Sequence, residues 1–482
     1  MRKLITKIQM LTIGAFLLTV TAAQAHLTIP IKAGGPIKFV WVGDLNGDGK
    51  PDYVLDRQTN PQTIEAYTNS GTFLWSVNFG PNSANQDNIS PGSATIDVGH
   101  NDGVTVYDVN GDGKAEVIIK FANGTKFGNG VTFSNSDNNN QWIGVLNGST
   151  GALLASCQMP TDYKSAAGPL ALRLGCGPSG IFGFMKNRNS DKSFNCVICR
   201  WQMSGSSLTQ TWKWKRGTTN VSDGHNSRIC DVNGDGVDDF CEIGFVINGA
   251  NGTLLYSLTA TGGVVHGDRW HIAKMDSSRS GLQGYGIQQN NASGLYDYYY
   301  DARNGTMIWK HMNGGATVDV GRGDTGDIDG SKPGYETWAF DGVWNAKSNT
   351  RISPAGTEPW PCQGLWWDTD DLRESYNNGK IEKYDPSSTS TGRRVTRLYN
   401  ITDYASDAVG SGTNPLFYGD FMGDWREEVI LTNSSYNKLY ILQPSGTPAT
   451  NRANLWNDRY YKNDLTVKGY MQTHHVSFYL GK

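Results

Sequence analysis

An acidic turn running straight into a short apolar segment occurs three times in this 482-residue chain, and no other feature constrains the fold as strongly. Asp44-Leu-Asn46-Gly-Asp48-Gly-Lys-Pro-Asp52 leads into Tyr-Val-Leu, and Asp108-Val-Asn110-Gly-Asp112-Gly-Lys-Ala-Glu116 into Val-Ile-Ile-Lys. The third copy, Asp231-Val-Asn233-Gly-Asp235-Gly-Val-Asp-Asp239, leads into Phe-Cys-Glu-Ile. Looser copies begin at Asp276, Asp327 and Asp420. Paired apolar runs hinged on glycine-containing turns, mostly Asn-Gly, lie at 67–77, 145–156, 246–258 and 300–311. Loop, strand, strand, turn, strand is one antiparallel sheet unit, and Asn-Gly supplies the positive φ that hairpin turns demand. Two wider gaps, around 165–185 and 362–385, leave room for units without the loop, which brings the count to about eight. One such sheet cannot bury both faces, so radial stacking is expected: an all-β fold, an eight-bladed β-propeller. A solenoid would need a shorter, more regular period. Ring closure is expected to pair a strand at 36–43 with the terminal Val-Ser-Phe-Tyr-Leu run, removing exposed edges.

Each loop also reads as a metal site. Asp44, Asn46 and Asp48 sit on one turn, and the ninth-position acid, Asp52, adds further oxygens. Asp108, Asn110, Asp112 and Glu116 repeat the pattern, as do Asp231, Asn233, Asp235 and Asp239. Six or more hard oxygen ligands suit Ca²⁺ better than Mg²⁺. The degenerate loops offer Asp327 with Asp329, and Asp420 with Asp424. These ions are expected to be mainly structural, holding strands in register, while one could assist catalysis.

The N-terminus reads as a secretory signal. Arg2, Lys3 and Lys7 precede an apolar run, and Ala23-Gln24-Ala25 offers a small-residue cleavage site. The expected layout is a signal peptide at 1–25 and a single propeller domain at 26–482, secreted and monomeric. No later segment resembles a membrane span. The formal net charge of −3 becomes about −6 without the three N-terminal cations, and no basic stripe favours nucleic acid. In an exported chain, some of the seven cysteines should pair. Cys230 and Cys241 bracket one acidic loop; Cys157 with Cys176 is a weaker pairing. Cys196 and Cys199 lie in a strand-like run and read as a disulfide or buried thiols.

Several stretches are similar to one family. The segment Phe421-Met-Gly-Asp424-Trp425-Arg426-Glu427-Glu428 resembles the hallmark of the rhamnogalacturonan lyases of polysaccharide lyase family eleven. In the same order so do 106–126, Gly224-His225-Asn226, His266-Gly267-Asp268, Asp319-Val-Gly-Arg322-Gly, the Gly-Leu-Trp-Trp run to Glu374, and the terminal Ser-Phe-Tyr-Leu-Gly. The resemblance implies a calcium-loaded, eight-bladed propeller that cuts the alternating rhamnose–galacturonate backbone by β-elimination. It also implies that the extra N-terminal β-domain of many members is missing, because the first loop starts within about twenty residues of the expected mature start.

That chemistry needs a neutralised carboxylate, a base for the C5 proton and help for the O4 leaving group. Arg322 matches a substrate-contacting arginine of the family and is the candidate for the carboxylate; the alternative is a structural pair with Asp319 or Asp324. His225 and His266, in glycine-flanked motifs, are candidate metal ligands, carboxylate binders or bases. His100 and His271 are candidate substrate contacts, with Lys38 and Tyr470. His26, His311 and His474 read as packed or solvated. Where the family carries a lysine the chain has Gly412, and its Tyr-Asn pair is Tyr470-Met471. Three functions stay open: a lyase on rhamnogalacturonan, a lyase on another rhamnose–uronate polymer, and a silent propeller binding acidic plant-type polysaccharide.

Overall fold

The computed structural model describes residues 26–57, 59, 61–82, 103–162, 170–188, 194–314, 317–468, 475–476 and 478–480. Residues 1–25, read above as a signal peptide, and His100, Tyr470, Met471 and His474 fall outside these residues.

Eight antiparallel sheets of four or five strands follow one another along the chain. Their innermost strands are Ile37–Gly43, Val104–Tyr107, Leu170–Gly177, Ser227–Cys230, Trp270–Ala273, Asp324–Gly326, Gln363–Leu365 and Phe417–Gly419. They begin blades 1 to 8 in that order. Blades 3 and 7 fall on the two gaps read from the sequence. Burial explains why the strands differ in composition. Ile37–Gly43 and Glu116–Ala122 are buried at every position, since both faces meet a neighbouring blade. The outer strand Phe73–Asn78 instead alternates buried and exposed residues over its second half.

The apolar core is divided among the blade interfaces. Trp41, Val54 and Trp75 of blade 1 pack with Val104, Val117 and Phe121 of blade 2. Leu174 and Trp201 of blade 3 pack with Ile143 and Val145 of blade 2. A tryptophan staples three of the seams. The indole N–H of Trp75 donates to Gly148 O at 2.7 Å, that of Trp212 to Gly249 O at 2.7 Å, and that of Trp309 to Ala346 O at 2.8 Å. Each bond runs from an outer strand to the third-to-fourth-strand turn of the next blade.

That contact corrects the reading of the Asn-Gly turns. In 145–156 the left-handed residue is Gly151, with φ of 63°, not Gly148. Gly148 is needed for a different reason: a Cβ there would lie 2.1 Å from Ala115 O.

Ring closure also differs from expectation. Leu27–Pro30 pairs antiparallel with Lys438–Leu442, so the N-terminal segment supplies the outer strand of blade 8. The segment at 36–43 is the inner strand of blade 1 instead. The terminal apolar run forms no strand among its described residues. Tyr479 packs on Tyr335 and donates to Asp327 Oδ2 at 3.1 Å. Before it, the helix Arg459–Thr466 enters the middle of the ring, capped by Asp458 on Tyr461 N at 2.9 Å. Thr466 meets the inner strands of blades 2 and 3, and Arg228 of blade 4 pairs with Asp464.

The seven cysteines are thiols. Cys230 and Cys241 face each other with sulfurs 3.9 Å apart, but Cys230 pairs in register with Asp239, leaving the two cysteines as diagonal neighbours.

Ile29 is buried in the closing seam with Ile31, Leu439 and Ile441. Ile29→Asp should therefore lower stability by about 3 kcal/mol, as an unpaired charge enters an apolar contact. Thermal melting checks this, and Thr28→Asp on the exposed face of the same strand should melt close to the wild-type protein.

Candidate active site and acidic turns

The acidic turns join the first strand to the second at one end of the ring in every blade but the third, where Gly177-Pro-Ser-Gly180 makes the turn. Their geometry is shared. Leu45 N donates to Asp52 Oδ2, Val109 N to Glu116 Oε2 and Val232 N to Asp239 Oδ2, all at 3.1 Å. In blades 6, 7 and 8 the same bond runs from Ile328 N to Glu336, Trp367 N to Glu374 and Phe421 N to Glu428, at 3.1, 2.8 and 3.2 Å. Gly47 and Gly49 have φ of 79° and 78°, which lets Gly47 N and Gly49 N both donate to Asp44. The closing acid is thus the anchor of the turn, and it is buried: Asp52, Glu116, Asp239, Glu336, Glu374 and Glu428 are all at or below 2 % exposure.

Burial pushes the Asp52 carboxyl up to about 6 and Glu116 and Asp239 to about 7. Glu336 and Glu428 are pushed well above the carboxylate range for the same reason. Such groups call for a nearby cation. Blade 7 shows one, where Lys383 Nζ lies 2.5 Å from Asp368 Oδ2, 2.7 Å from Asp370 Oδ1 and 3.0 Å from Glu374 Oε1. The sequence reading passed over this turn because its lysine comes from the third strand. Blade 5 removes the charge altogether: Gln283 closes its turn, and Arg279 and Lys347 approach Asp276.

The other turns keep the acids without such an ammonium. Glu428 Oε1 is buried with no hydrogen-bond partner. Asp44, Asn46 and Asp48 each accept a backbone N–H of their own turn, as do their counterparts in blades 2 and 4. In blade 8, Asp424 is instead paired with Arg426 at 2.5 Å, and Asp420 Oδ2 accepts from Leu455 N at 2.6 Å. In blade 6, Asp329 joins Asp327 in the turn closed by Glu336. Among the described acidic turns, that of blade 7 brings three carboxylates, Asp368, Asp370 and Glu374, close enough together to hold a metal ion, the place that Lys383 fills.

The candidate catalytic residues sit at the opposite end, in the connectors that enter the inner strands. His225 precedes Ser227–Cys230 of blade 4, His266 precedes Trp270–Ala273 of blade 5, and Arg322 precedes Asp324–Gly326 of blade 6. A parallel bridge joins Gly224 to Gly267, and a Cβ on Gly224 would lie 2.5 Å from Gly267 O. This close approach brings the two rings edge to face at 4.9 Å. The Nε2 atoms of both histidines lie 3.6 Å from Asp268 Oδ1, and His266 Nδ1 lies 3.7 Å from Asp223 Oδ2. Lys186 of blade 3 pairs with Asp223, while Arg173 pairs with Glu242 and holds Gly224 O at 3.0 Å.

The two imidazoles differ in electrostatics. Desolvation is the largest influence on each. In His225 it prevails and lowers the group to about 4. In His266 the flanking Asp223 and Asp268 overcome it and raise the group to about 9. His225, His266 and Asp268 are also close enough together to hold a metal ion.

His271 lies beneath this surface at 1 % exposure, not on it. Its Nε2 meets Gly323 O at 3.1 Å and its Nδ1 meets His475 Nε2 at 3.0 Å. It thereby supports the backbone beside Arg322. Lys38 is also buried, in blade 1 across the ring from blades 4 and 5. Arg322 Nη1 donates to Gly321 O at 3.1 Å. Gly412 has φ of 61°, a conformation in which a lysine would be strained. Sequence reading missed Asp223, Lys186 and Arg173. An acid two residues before His225 was the available signal; the cations come from another blade.

In protein freed of divalent ions, NMR titration should resolve His225 near pH 4 and His266 near pH 9. The raised His266 contributes stability that is complete below its ordinary value and is lost as pH rises through 9. A single shared midpoint near 6.5 would contradict the geometry.

Residues 37–168 and 192–482 match the rhamnogalacturonan lyase family 11 C-terminal domain. The chain is 28 % identical over 478 residues to rhamnogalacturonan endolyase YesW of Bacillus subtilis, covering 91 % of this chain and 73 % of that protein. It is 27 % identical over 497 residues to rhamnogalacturonan exolyase YesX of the same organism, covering 91 % and 76 %. The crystal structure of YesW superposes with a TM-score of 0.80 at 25 % identity, covering 95 % and 82 %. That of the Bacillus licheniformis rhamnogalacturonan lyase PL11 gives 0.81 at 26 %, with the same coverage. On a match that spans nearly the whole ring, with its turns and its histidine pair, the chain belongs to rhamnogalacturonan lyase family 11.

Proposed function

We propose that this chain is a secreted, single-domain polysaccharide lyase that cleaves the rhamnose–galacturonate backbone of rhamnogalacturonan I by β-elimination. The observation that carries this reading is the pair His225 and His266, held by Asp268 and Asp223 at the entry end of a family 11 propeller. Both curated relatives bear rhamnogalacturonan lyase names.

Abstraction of the C5 proton leaves charge on the uronate carboxylate, so a fixed cation beside that group lowers the barrier. Arg322 is assigned this pairing. His225, neutral at working pH, has a lone pair available to accept the C5 proton. His266 keeps its proton and orients through Asp223. Ca²⁺ at His225, His266 and Asp268 would need both imidazoles neutral with their lone pairs on the ion, so it would replace the His266 proton as the neutralising charge and leave the base to another group. The acidic turns of blades 1, 2 and 4 would hold structural Ca²⁺ through Asp44, Asn46, Asp48, Asp52 and their equivalents, whose buried closing acids fit a cation.

A panel of pectic and glucuronate-bearing polymers, read by the ultraviolet absorbance of the unsaturated uronate product, tests the reaction. Rhamnogalacturonan I should give the strongest signal. A flat trace across the panel with retained glycan binding would overturn the enzymatic reading, and a preference for rhamnose–glucuronate would move the substrate. Arg322→Ala should lower kcat/KM by roughly 100-fold or more at unchanged Tm. A lower Tm with little loss of activity would return Arg322 to a structural role.

A further inference from the structure

On the outer flank of the ring, away from the histidine pair, a second mixed cluster joins blades 5 and 6. His311 lies on the outermost strand of blade 5, Thr306–Met312, directly opposite Asp297 on the neighbouring strand. Asp341 reaches in from the turn before Val343–Asn345 of blade 6. One ligand atom from each of the three lies within 4.8 Å of the others.

The outward atom of every member is already held. His311 Nε2 meets Asn349 Oδ1 at 2.8 Å, Tyr285 donates its hydroxyl to Asp297 Oδ2 at 3.0 Å, and Trp344 Nε1 donates to Asp341 Oδ2 at 3.0 Å. The inward atoms are His311 Nδ1, Asp297 Oδ1 and Asp341 Oδ1. All three are buried; His311 Nδ1 and Asp297 Oδ1 face each other as an ion pair, while Asp341 Oδ1 makes no hydrogen bond. With Nε2 donating to Asn349 Oδ1, His311 Nδ1 carries a second proton toward Asp297 in the charged ring and turns a lone pair to the two carboxylates in the neutral one. His311 Nδ1 and Asp297 Oδ1 are 2.7 Å apart. A contact this short is held either by a proton on Nδ1 or by a metal ion that takes the proton's place.

The arrangement has the parts of a metal centre. One imidazole and two carboxylates are borderline-hard donors of the kind zinc-class ions accept, and a proton donated from the far ring nitrogen is the usual way such a histidine is oriented. The ring is also fixed from both sides, by Trp309 at 4.7 Å and Trp344 at 4.1 Å between centroids. A tetrahedral ion at about 2.1 Å from each ligand sets the donors roughly 3.4 Å apart, so His311 and Asp297 would open by a fraction of an ångström.

We propose that Asp297, His311 and Asp341 form a binding site for one zinc-class divalent cation that clips the edge of blade 5 to blade 6. The site is separate from the acidic turns, whose ligands are oxygens alone, and it is independent of the lyase reading.

The full chain would be stripped with a strong chelator, returned to Ca²⁺ and given Zn²⁺, with metal content measured after gel filtration. Wild-type protein should retain one equivalent of zinc more than Asp341→Asn or His311→Gln, while His266→Ala should retain as much as wild type at this site. Co²⁺ in place of Zn²⁺ should give a visible d–d band that both flank variants lose. Asp341→Asn keeps the volume and an oxygen for Trp344, so its melting in Ca²⁺ alone checks that the fold is intact. Equal zinc in wild type and Asp341→Asn would overturn the site, as would zinc loss confined to His266→Ala. Absence of retained zinc in the wild-type protein would also overturn it and leave the cluster as a protonated His311 against Asp297.

Discussion

The ring depends on a buried carboxylate. In six of the eight blades the first-to-second-strand turn folds over one acid, which accepts a backbone N–H near the start of the turn. The arrangement makes the turn rigid, and it also puts negative charge where water does not reach. A carboxylate in such a place must be protonated or matched by a positive charge. Blade 7 supplies the ammonium of Lys383, blade 5 replaces the acid with Gln283, and blades 1, 2 and 4 surround it with further oxygens that make sense as cation ligands. One electrostatic problem thus meets three different surroundings around one ring.

The two ends of the propeller divide the work. The acidic turns occupy the exit end of the inner strands, where their effect is on strand register and stability. Connectors entering the inner strands carry His225, His266 and Arg322, where loop geometry can vary without disturbing the sheets. Between the two ends runs a buried polar layer of Arg228, Asp324, His271, Arg373 and His475. It ties the terminal segment to the connectors from below, so the backbone around Gly323 is set by buried groups.

Much of this was legible in the sequence, because a propeller writes its repeat into local turns. The Asp-x-Asn-x-Asp-Gly loops and the glycine hairpins each lie within about ten residues, and they were enough for fold class and blade count. What the sequence hid was everything carried between strands or between blades. Lys383 lies nine residues after the acid it neutralises, on a different strand. Asp223 is oriented by Lys186 from the preceding blade, and Gly148 is a glycine because of Ala115 O. Ring closure was misassigned for the same reason: 36–43 read as the closing strand, and only the packing of 27–30 against Leu439 and Ile441 shows which segment closes blade 8. His311 read as a packed residue because neither Asp297 nor Asp341 is near it in the chain.

Calorimetric melting at neutral pH, in excess Ca²⁺ and then in strong chelator, tests the central claim most directly. If the buried closing acids of blades 1, 2 and 4 are matched by bound calcium, removing the ion must lower Tm substantially, and re-addition must restore it in proportion to the logarithm of free Ca²⁺. A melting curve that is the same in both conditions, from protein that contains no calcium when purified, would contradict the account.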